Sequence, residues 1–326
     1  MVEMNSRRLA MFDRRLLQAL STPVLLVGIA IAQQVSPAPS PVTRQSLEDA
    51  WWTGPLLANS ANTLPRGHFL VETYVYDVIE PHSHALGSRT YVEYGVVDKL
   101  TVGVIPIFGY NKVDTGASSA GIRFGDISLL AQYRLTQFHE HKWVPTTAIQ
   151  VQQTFPTGKY DRLATRPSDG LGAGAYTTAV ALNSQTYFWL PNGRILRMRL
   201  NVADSFSNDV DVRDVSVYGT TNGFHGRAQP GNSLLINAAW EYSKSRQWVL
   251  ALDAIYVHNE RTTVIGAQNG KSVRLDGDSS WEFGFAPAVE YNMSSTLGII
   301  FGVRVMAPGH NTSTTVAPVV AINFVH

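Results

Sequence analysis

Gly193-Arg194-Ile195-Leu196-Arg197-Met198-Arg199-Leu200-Asn201-Val202-Ala203-Asp204-Ser205-Phe206 decides the fold. Side chains of an extended strand alternate between two faces. Leu196, Met198, Leu200 and Val202 therefore share one face, and Arg197, Arg199 and Asn201 share the other. An arginine turned toward lipid near a membrane mid-plane costs about 2–4 kcal/mol. If the apolar face meets lipid, both arginines must point into an enclosed polar interior. The same split recurs. Ile127, Leu129, Ala131, Tyr133 and Leu135 oppose Asp126, Ser128, Gln132 and Arg134, and Trp248, Leu250, Leu252, Ala254 and Tyr256 oppose Gln247 and Asp253. Trp281, Phe283, Phe285, Val289 and Tyr291 oppose Glu282 and Glu290, and Leu297, Ile299, Phe301, Val303 and Val305 oppose Gly298, Gly302 and Arg304. A soluble sandwich alternates too. It lacks large aromatics at both ends of the apolar face, here Trp143 with Phe155 and Trp281 with Tyr291, which read as membrane girdles.

Outward from this strand, the chain predicts an all-β, transmembrane, antiparallel up-and-down β-barrel of about twelve strands. They are expected at 68–78, 88–96, 100–111, 122–136, 143–156, 174–190, 193–206, 230–244, 246–262, 277–291, 296–308 and 313–325. Connections alternate in length. Short ones fall at Val97–Lys99, Gln137–Lys142, Pro191–Asn192, Ser245 and Asn292–Ser295. Long ones fall at 79–87, 112–121, 157–173, 207–229 and 263–276, with a tighter final one near Gly309. Short periplasmic turns and longer outer loops are the habit of outer-membrane barrels, and an even strand count puts both ends of the barrel on one side.

Composition agrees. Charged residues make up 16% of the chain, against about 25% in an ordinary soluble domain. Arg7, Arg8, Arg14 and Arg15, the apolar Leu16–Ile31 and the small-residue exit Ala30-Ile31-Ala32 read as a cleavable export signal over 1–32. Its removal takes four arginines and two acids from 26 basic and 25 acidic residues, leaving a near-neutral chain that argues against a nucleic-acid partner. The absence of cysteine fits an oxidising envelope compartment and excludes thiol chemistry.

Residues 33–67 form a periplasmic N-terminal segment of different character. It is Pro/Ser-rich at first and then carries Trp51, Trp52, Gly54 and Pro55 without strand alternation. Two adjacent tryptophans need somewhere to bury their surface. The lumen or lower mouth of the barrel is the preferred seat, making the segment a plug or tether; a disordered leader is the alternative. The barrel proper is expected over 68–326.

Carried through all strands, parity predicts a charged interior. Its acids are Glu72, Glu93, Asp126, Glu241, Asp253, Glu282 and Glu290, and its bases are Arg89, Arg134, Arg197, Arg199 and Arg304. The near-balance of sign points to ion pairs between strands, which either fill and stiffen the lumen or line a solute path. Twelve strands lie between barrels filled by side chains and barrels with an aqueous channel. Arg197, Arg199, Arg134 and Glu72 are the candidates for a constriction.

Trp52-Thr53-Gly54-Pro55-Leu56-Leu57-Ala58-Asn59-Ser60-Ala61-Asn62-Thr63-Leu64-Pro65-Arg66-Gly67-His68-Phe69 resembles the start of a bacterial outer-membrane family named after the meta-pathway of phenol degradation and labelled "transporter". Gly125-Asp126-Ile127 with Tyr133-Arg134-Leu135, and Phe155-Pro156-Thr157-Gly158-Lys159-Tyr160, are similar to later segments of it. The resemblance implies an outer-membrane barrel related to channels for long-chain fatty acids and aromatic hydrocarbons, with no catalytic residues. Passive passage of small solutes, hydrophobic or aromatic by resemblance alone, is the expected function. A structural or surface-interaction barrel with a closed lumen, its loop at 207–229 meeting partners, is the alternative.

Expected partners are outer-membrane lipid and lipopolysaccharide, the barrel assembly machinery and a small-molecule solute. The assembly machinery reads a terminal aromatic, here Phe324 followed by Val325 and His326. No cofactor is expected. His82 with His84, and His139 with His141, make weak metal pairs, and a dinucleotide reading of Gly170-x-Gly172-x-Gly174 fails for want of a strand-to-helix context. Those glycines instead predict a mobile outer loop. His258 has the parity of a rim hydrolase, with Ser279 on the next strand, but lacks a His-x-Ser arrangement.

Overall fold

The computed structural model describes residues 42–326. The expected signal over 1–32 and the Pro/Ser-rich start of the next segment lie outside the described residues. The barrel strands are β1 (Phe69–Glu80), β2 (Ser83–Val97), β3 (Leu100–Ile105 and Ile107–Val113), β4 (Ile127–Thr136), β5 (Thr146–Phe155) and β6 (Thr177–Trp189). They continue as β7 (Ile195–Ser207), β8 (Ser233–Ser243), β9 (Trp248–Asn259), β10 (Ser280–Asn292), β11 (Leu297–His310) and β12 (Thr315–Val325). Each pairs antiparallel with the next, and β1 also pairs with β12, from Leu70↔Val325 to Ile79↔Val316. The sheet is thereby closed and has no free edge. β3 is interrupted at Pro106, which has no N–H for the ladder.

The two faces differ as a membrane solvent demands. Leu250 is 46% exposed and Phe301 57%, whereas Asp253, Glu241 and Glu290 on the opposite parity are 0% exposed. Water would invert that order; hydrocarbon outside and a filled lumen inside produce it.

The first expected long connection, 79–87, is corrected. β1 and β2 meet through Pro81-His82 alone, with Glu80 opposite Ser83 and Ile79 opposite His84. Leu86 continues the outward alternation of β2 past Gly87, and His84 Nδ1 lies 3.0 Å from Asp77 on the neighbouring strand. The gaps at 207–229 and 263–276 are not plain loops either. They carry Val210–Arg213, Phe224–Gln229, Thr263–Gln268 and Lys271–Asp276, which pair in that order as a separate four-stranded sheet. Val210, Val212, Phe224, Ala228, Val264 and Ala175 form its apolar core, which Tyr160, Tyr218 and Val273 flank.

Leu252 lies mid-strand on the outward face of β9 and is 40% exposed. Leu252→Arg is expected to lower barrel stability in lipid vesicles by about 2–4 kcal/mol, read from reversible denaturant unfolding. A loss well under 1 kcal/mol would place this face away from lipid.

Candidate functional site

The charged centre follows from register. Arg197 on β7 lies directly opposite Glu241 on β8. Its Nε donates to Glu241 Oε2 at 2.6 Å and its Nη2 donates to Oε1, so the guanidinium grips the carboxylate with two parallel bonds. Arg199, two residues along and on the same face, brings Nε within 3.1 Å of Glu241 Oε2. Glu241 is wholly buried, and both arginines are nearly so. Two cations thus share one anion at this point.

Residues 45–66 run along the inner wall beside this cluster. Thr53 N donates to Glu290 Oε2 at 2.8 Å, and Gly54 N donates to the same oxygen at 3.1 Å. Leu56 N and Ala58 N donate to the two oxygens of Asp253, at 3.0 and 2.9 Å. Arg199 Nη1 donates to Ala58 O at 2.8 Å, and Asn201 Nδ2 donates to Asn59 O at 3.1 Å. Gln132 Nε2 donates to both Ser60 O and Asn62 O. The segment then descends to the β2–β3 turn, where Leu64 N donates to Thr101 Oγ1 and Arg66 N donates to Asp98 Oδ1. Gly54 takes φ 127°, a conformation closed to most other residues, and this turns its N–H toward Glu290.

Inter-strand ion pairing was the expectation for the interior acids. Glu241 follows it, but Asp253 and Glu290 do not. They accept instead from backbone N–H groups of an irregular segment that has no strand partner of its own, and Asp253 Oδ1 accepts also from Asn237 Nδ2 at 3.1 Å.

A row of amides completes the seat. Asn183 Nδ2 donates to Gln132 Oε1 and Gln150 Oε1, and Asn201 Nδ2 donates to Asn183 Oδ1. Alternation sets Asn201 and Gln132 on the inward face, as expected, and Asn183 and Gln150 share that parity without a charge to mark them.

The tryptophans separate. Trp52 lies under the Arg197 guanidinium, 4.3 Å from its ring centroid, and 6.4 Å from Tyr187. Trp51 sits at the lower rim, its N–H donated to Arg246 O and its ring 5.5 Å from the Arg246 guanidinium. At the same rim Trp189 Nε1 donates to Gln45 O at 2.7 Å, and Arg44 stacks over the Trp189 ring at 3.8 Å. Outside the wall, the hydrogen bond from Arg246 holds the Asp49 carboxyl below its ordinary pKa.

Between the segment and the β1, β2 and β12 wall lies a cavity of about 580 Å³. Of the expected lumen residues, Glu72, Arg89, Glu93, Arg197, Arg199 and Arg304 line it. Glu241, Asp253 and Glu290 are buried beneath the segment instead, hydrogen-bonded as above. Arg134 lies near the lower end of β4 and Glu282 near the upper end of β10, neither lining the cavity. Tyr74, Tyr76 and Tyr91, which parity placed inward but charge did not flag, make much of its wall.

Asp126 serves the opposite end. It accepts from Gly158 N at 2.9 Å and Ala173 N at 2.7 Å, tying down the connection between β5 and β6. Gly172 packs directly on Gly158, and its N–H reaches Lys159 O at 3.0 Å. These glycines therefore serve close packing, correcting the expectation of a mobile loop. Asp169 of the same connection is gripped by Arg123 at 3.1 and 3.0 Å, and that guanidinium, with the Ala120 N–H, holds its carboxyl below the ordinary range. His258 has Leu234 and Trp281 as cross-strand neighbours, not a serine.

Residues 54–316 match the family described as "Putative MetA-pathway of phenol degradation". The chain belongs to that family. No curated protein matches it. Among solved structures it is similar to the COG4313 outer membrane channel from Pseudomonas putida F1, at 14% identity and TM-score 0.62, over 83% of this chain and all of that one. The NanC porin is more distant, at 10% identity and TM-score 0.44, over 78% of this chain and 98% of that one. At these identities the family member shares a barrel architecture with the first of them, and the likeness extends no further than fold.

Each hydrogen bond to a charged group contributes about 1.5–3 kcal/mol. Replacing both Asp253 and Glu290 by Ala removes the four that reach the segment, so chymotrypsin is expected to cleave the folded double variant at Trp51 or Trp52 at least tenfold faster than wild type. Equal protection would mean that the carboxylates do not hold the segment.

Proposed function

We propose that this family member is an outer-membrane channel for passive uptake of small solutes, with hydrophobic or aromatic compounds favoured. In this reading the segment at 45–66 is a plug that narrows the lumen, and the route runs between the plug and the β1, β2 and β12 wall. The observation that carries it is the cavity of about 580 Å³ left inside a closed barrel, in the size range of small-molecule sites. A barrel that only stiffened a membrane would have no reason to keep that space open beside an ordered segment. The inward residues of β12 are Ala317, Val319, Ala321 and Asn323, too small to fill it. Arg197 and Arg199 set the constriction by holding both Glu241 and the segment.

The hydrogen-bonded seat of residues 53–66 gives weight to a second reading, a resting lumen closed to ions. Single-channel conductance of the refolded chain from residue 33 in a planar bilayer separates the two. A steady current proportional to salt is expected, and deletion of residues 42–64 is expected to raise it severalfold. Silence from both folded forms would end the channel reading; current from the deletion alone would make the resting lumen closed. In the folded Arg197→Ala/Arg199→Ala double variant, conductance or ion selectivity is expected to change. Unchanged pore properties would remove the pair from the constriction.

A further inference from the structure

The charges that line the cavity are unevenly paired. Arg89 and Arg304 both line it, and neither has a carboxylate within 4.0 Å among the described residues, unlike Arg197 and Arg199 beside Glu241. Arg304 Nε is buried without any hydrogen-bond partner. The positive charge of Arg89 acts on Arg304, and Glu282 offsets part of it without forming an ion pair. Glu72 and Glu93 lie toward the lower end. Along β2, Glu93 is four residues from Arg89, about 13 Å at the strand rise. Glu72 is already supplied with a donor by Asn323 Nδ2 at 3.1 Å.

Three tyrosines stand along the same wall. Tyr74 is level with Arg89, and Tyr91 is level with Glu72. Their rings meet edge to face at 6.0 Å. Tyr76 lies flat over Gly87, where any larger residue would displace its ring. Glycine opposite tyrosine and alanine along β12 keep aromatic faces bare toward the cavity. Arg89 is exposed to the cavity and Arg304 is half-buried, so both guanidiniums are open to an anion that enters it, and bare aromatic walls favour a flat apolar body.

We propose that this cavity binds small aromatic carboxylates, the carboxylate between Arg89 and Arg304 and the ring against Tyr74, Tyr76 and Tyr91. Glu72 and Glu93 repel a carboxylate from the lower half and so fix the orientation. The assignment rests on the channel reading for its role in uptake, and it narrows the solute class from aromatic to anionic aromatic.

Titration calorimetry on the folded barrel in detergent tests it with three probes of one shape: cinnamate, neutral cinnamamide and cationic cinnamylamine. Cinnamate is expected to bind at least tenfold more tightly than either of the others. Arg89→Gln/Arg304→Gln is expected to lose at least tenfold in cinnamate affinity while cinnamamide affinity changes less than twofold. Should the double variant not fold, Arg304→Gln alone serves the same comparison, and Val319→Trp, which fills the cavity, is expected to abolish binding of all three. Equal affinity for cinnamate and cinnamamide, preference for the amine, no detectable binding, or undiminished cinnamate binding in the arginine variants would each overturn the proposal. Because binding is read without transport, a conducting barrel that ignores cinnamate refutes this site and spares the channel. Cinnamate binding in a barrel silent with and without residues 42–64 refutes the channel and spares the site.

Discussion

A carboxylate shut away from water must be given donors, and the interior of this barrel is arranged around three that are: Glu241, Asp253 and Glu290, each 0% exposed. Arg197 and Arg199 together bring two positive charges and Glu241 one negative. Asp253 and Glu290 add acceptors that no strand arginine takes up. Backbone N–H groups from Thr53 to Ala58 occupy Glu290 Oε2 and both oxygens of Asp253 instead, with Asn237 Nδ2 also donating to Asp253. The segment needs acceptors because it is irregular and enclosed, and the acids need donors because they are buried. Each requirement answers the other.

That reciprocity explains why the lumen is neither packed solid nor plainly open. The segment is hydrogen-bonded to β4 to β10, where the amide row and the carboxylates lie, and Leu56 packs against Ala251, Ala286, Ile300 and Ala321, so the cavity is what remains between it and the rest of the β1, β2 and β12 wall. Along that wall the inward side chains of β12 are small and those of β1 and β2 are tyrosines and charges. The polar half of the interior therefore holds chain, while the aromatic half holds space.

Much of this was legible in the sequence. Period-two alternation with charge on one parity settles strand identity, face and barrel class, because a misplaced arginine is expensive in lipid and a one-residue slip inverts every side chain. Arg197, Arg199, Glu241, Asp253 and Glu290 all fall on the inward parity for that reason. Connections were less legible. Val210, Val212, Phe224 and Val264 read as loop because they continue beyond the expected membrane length, where only packing among themselves reveals a second sheet. The tight turn at Pro81-His82 was hidden by the histidines and serines around it, since polarity was taken for loop where it marks only the outer rim.

The seat of residues 45–66 was illegible for a deeper reason. What anchors the segment is main-chain N–H and C=O, and every non-proline residue offers the same pair. The signal therefore lay on the other partner, as an excess of buried acids over strand arginines able to reach them. On the inward faces of β8, β9 and β10 stand Glu241, Asp253 and Glu290, three acids against the two bases Arg197 and Arg199, which pair with Glu241 alone. Such an imbalance inside a low-dielectric lumen calls for neutral donors, and a segment with Gly54 able to turn its N–H inward is suited to supply them. At Arg89 and Arg304 the imbalance has the opposite sign, and there no segment of the described chain brings an acceptor. An anion entering the cavity there meets two guanidiniums that no carboxylate of the described residues holds within 4.0 Å.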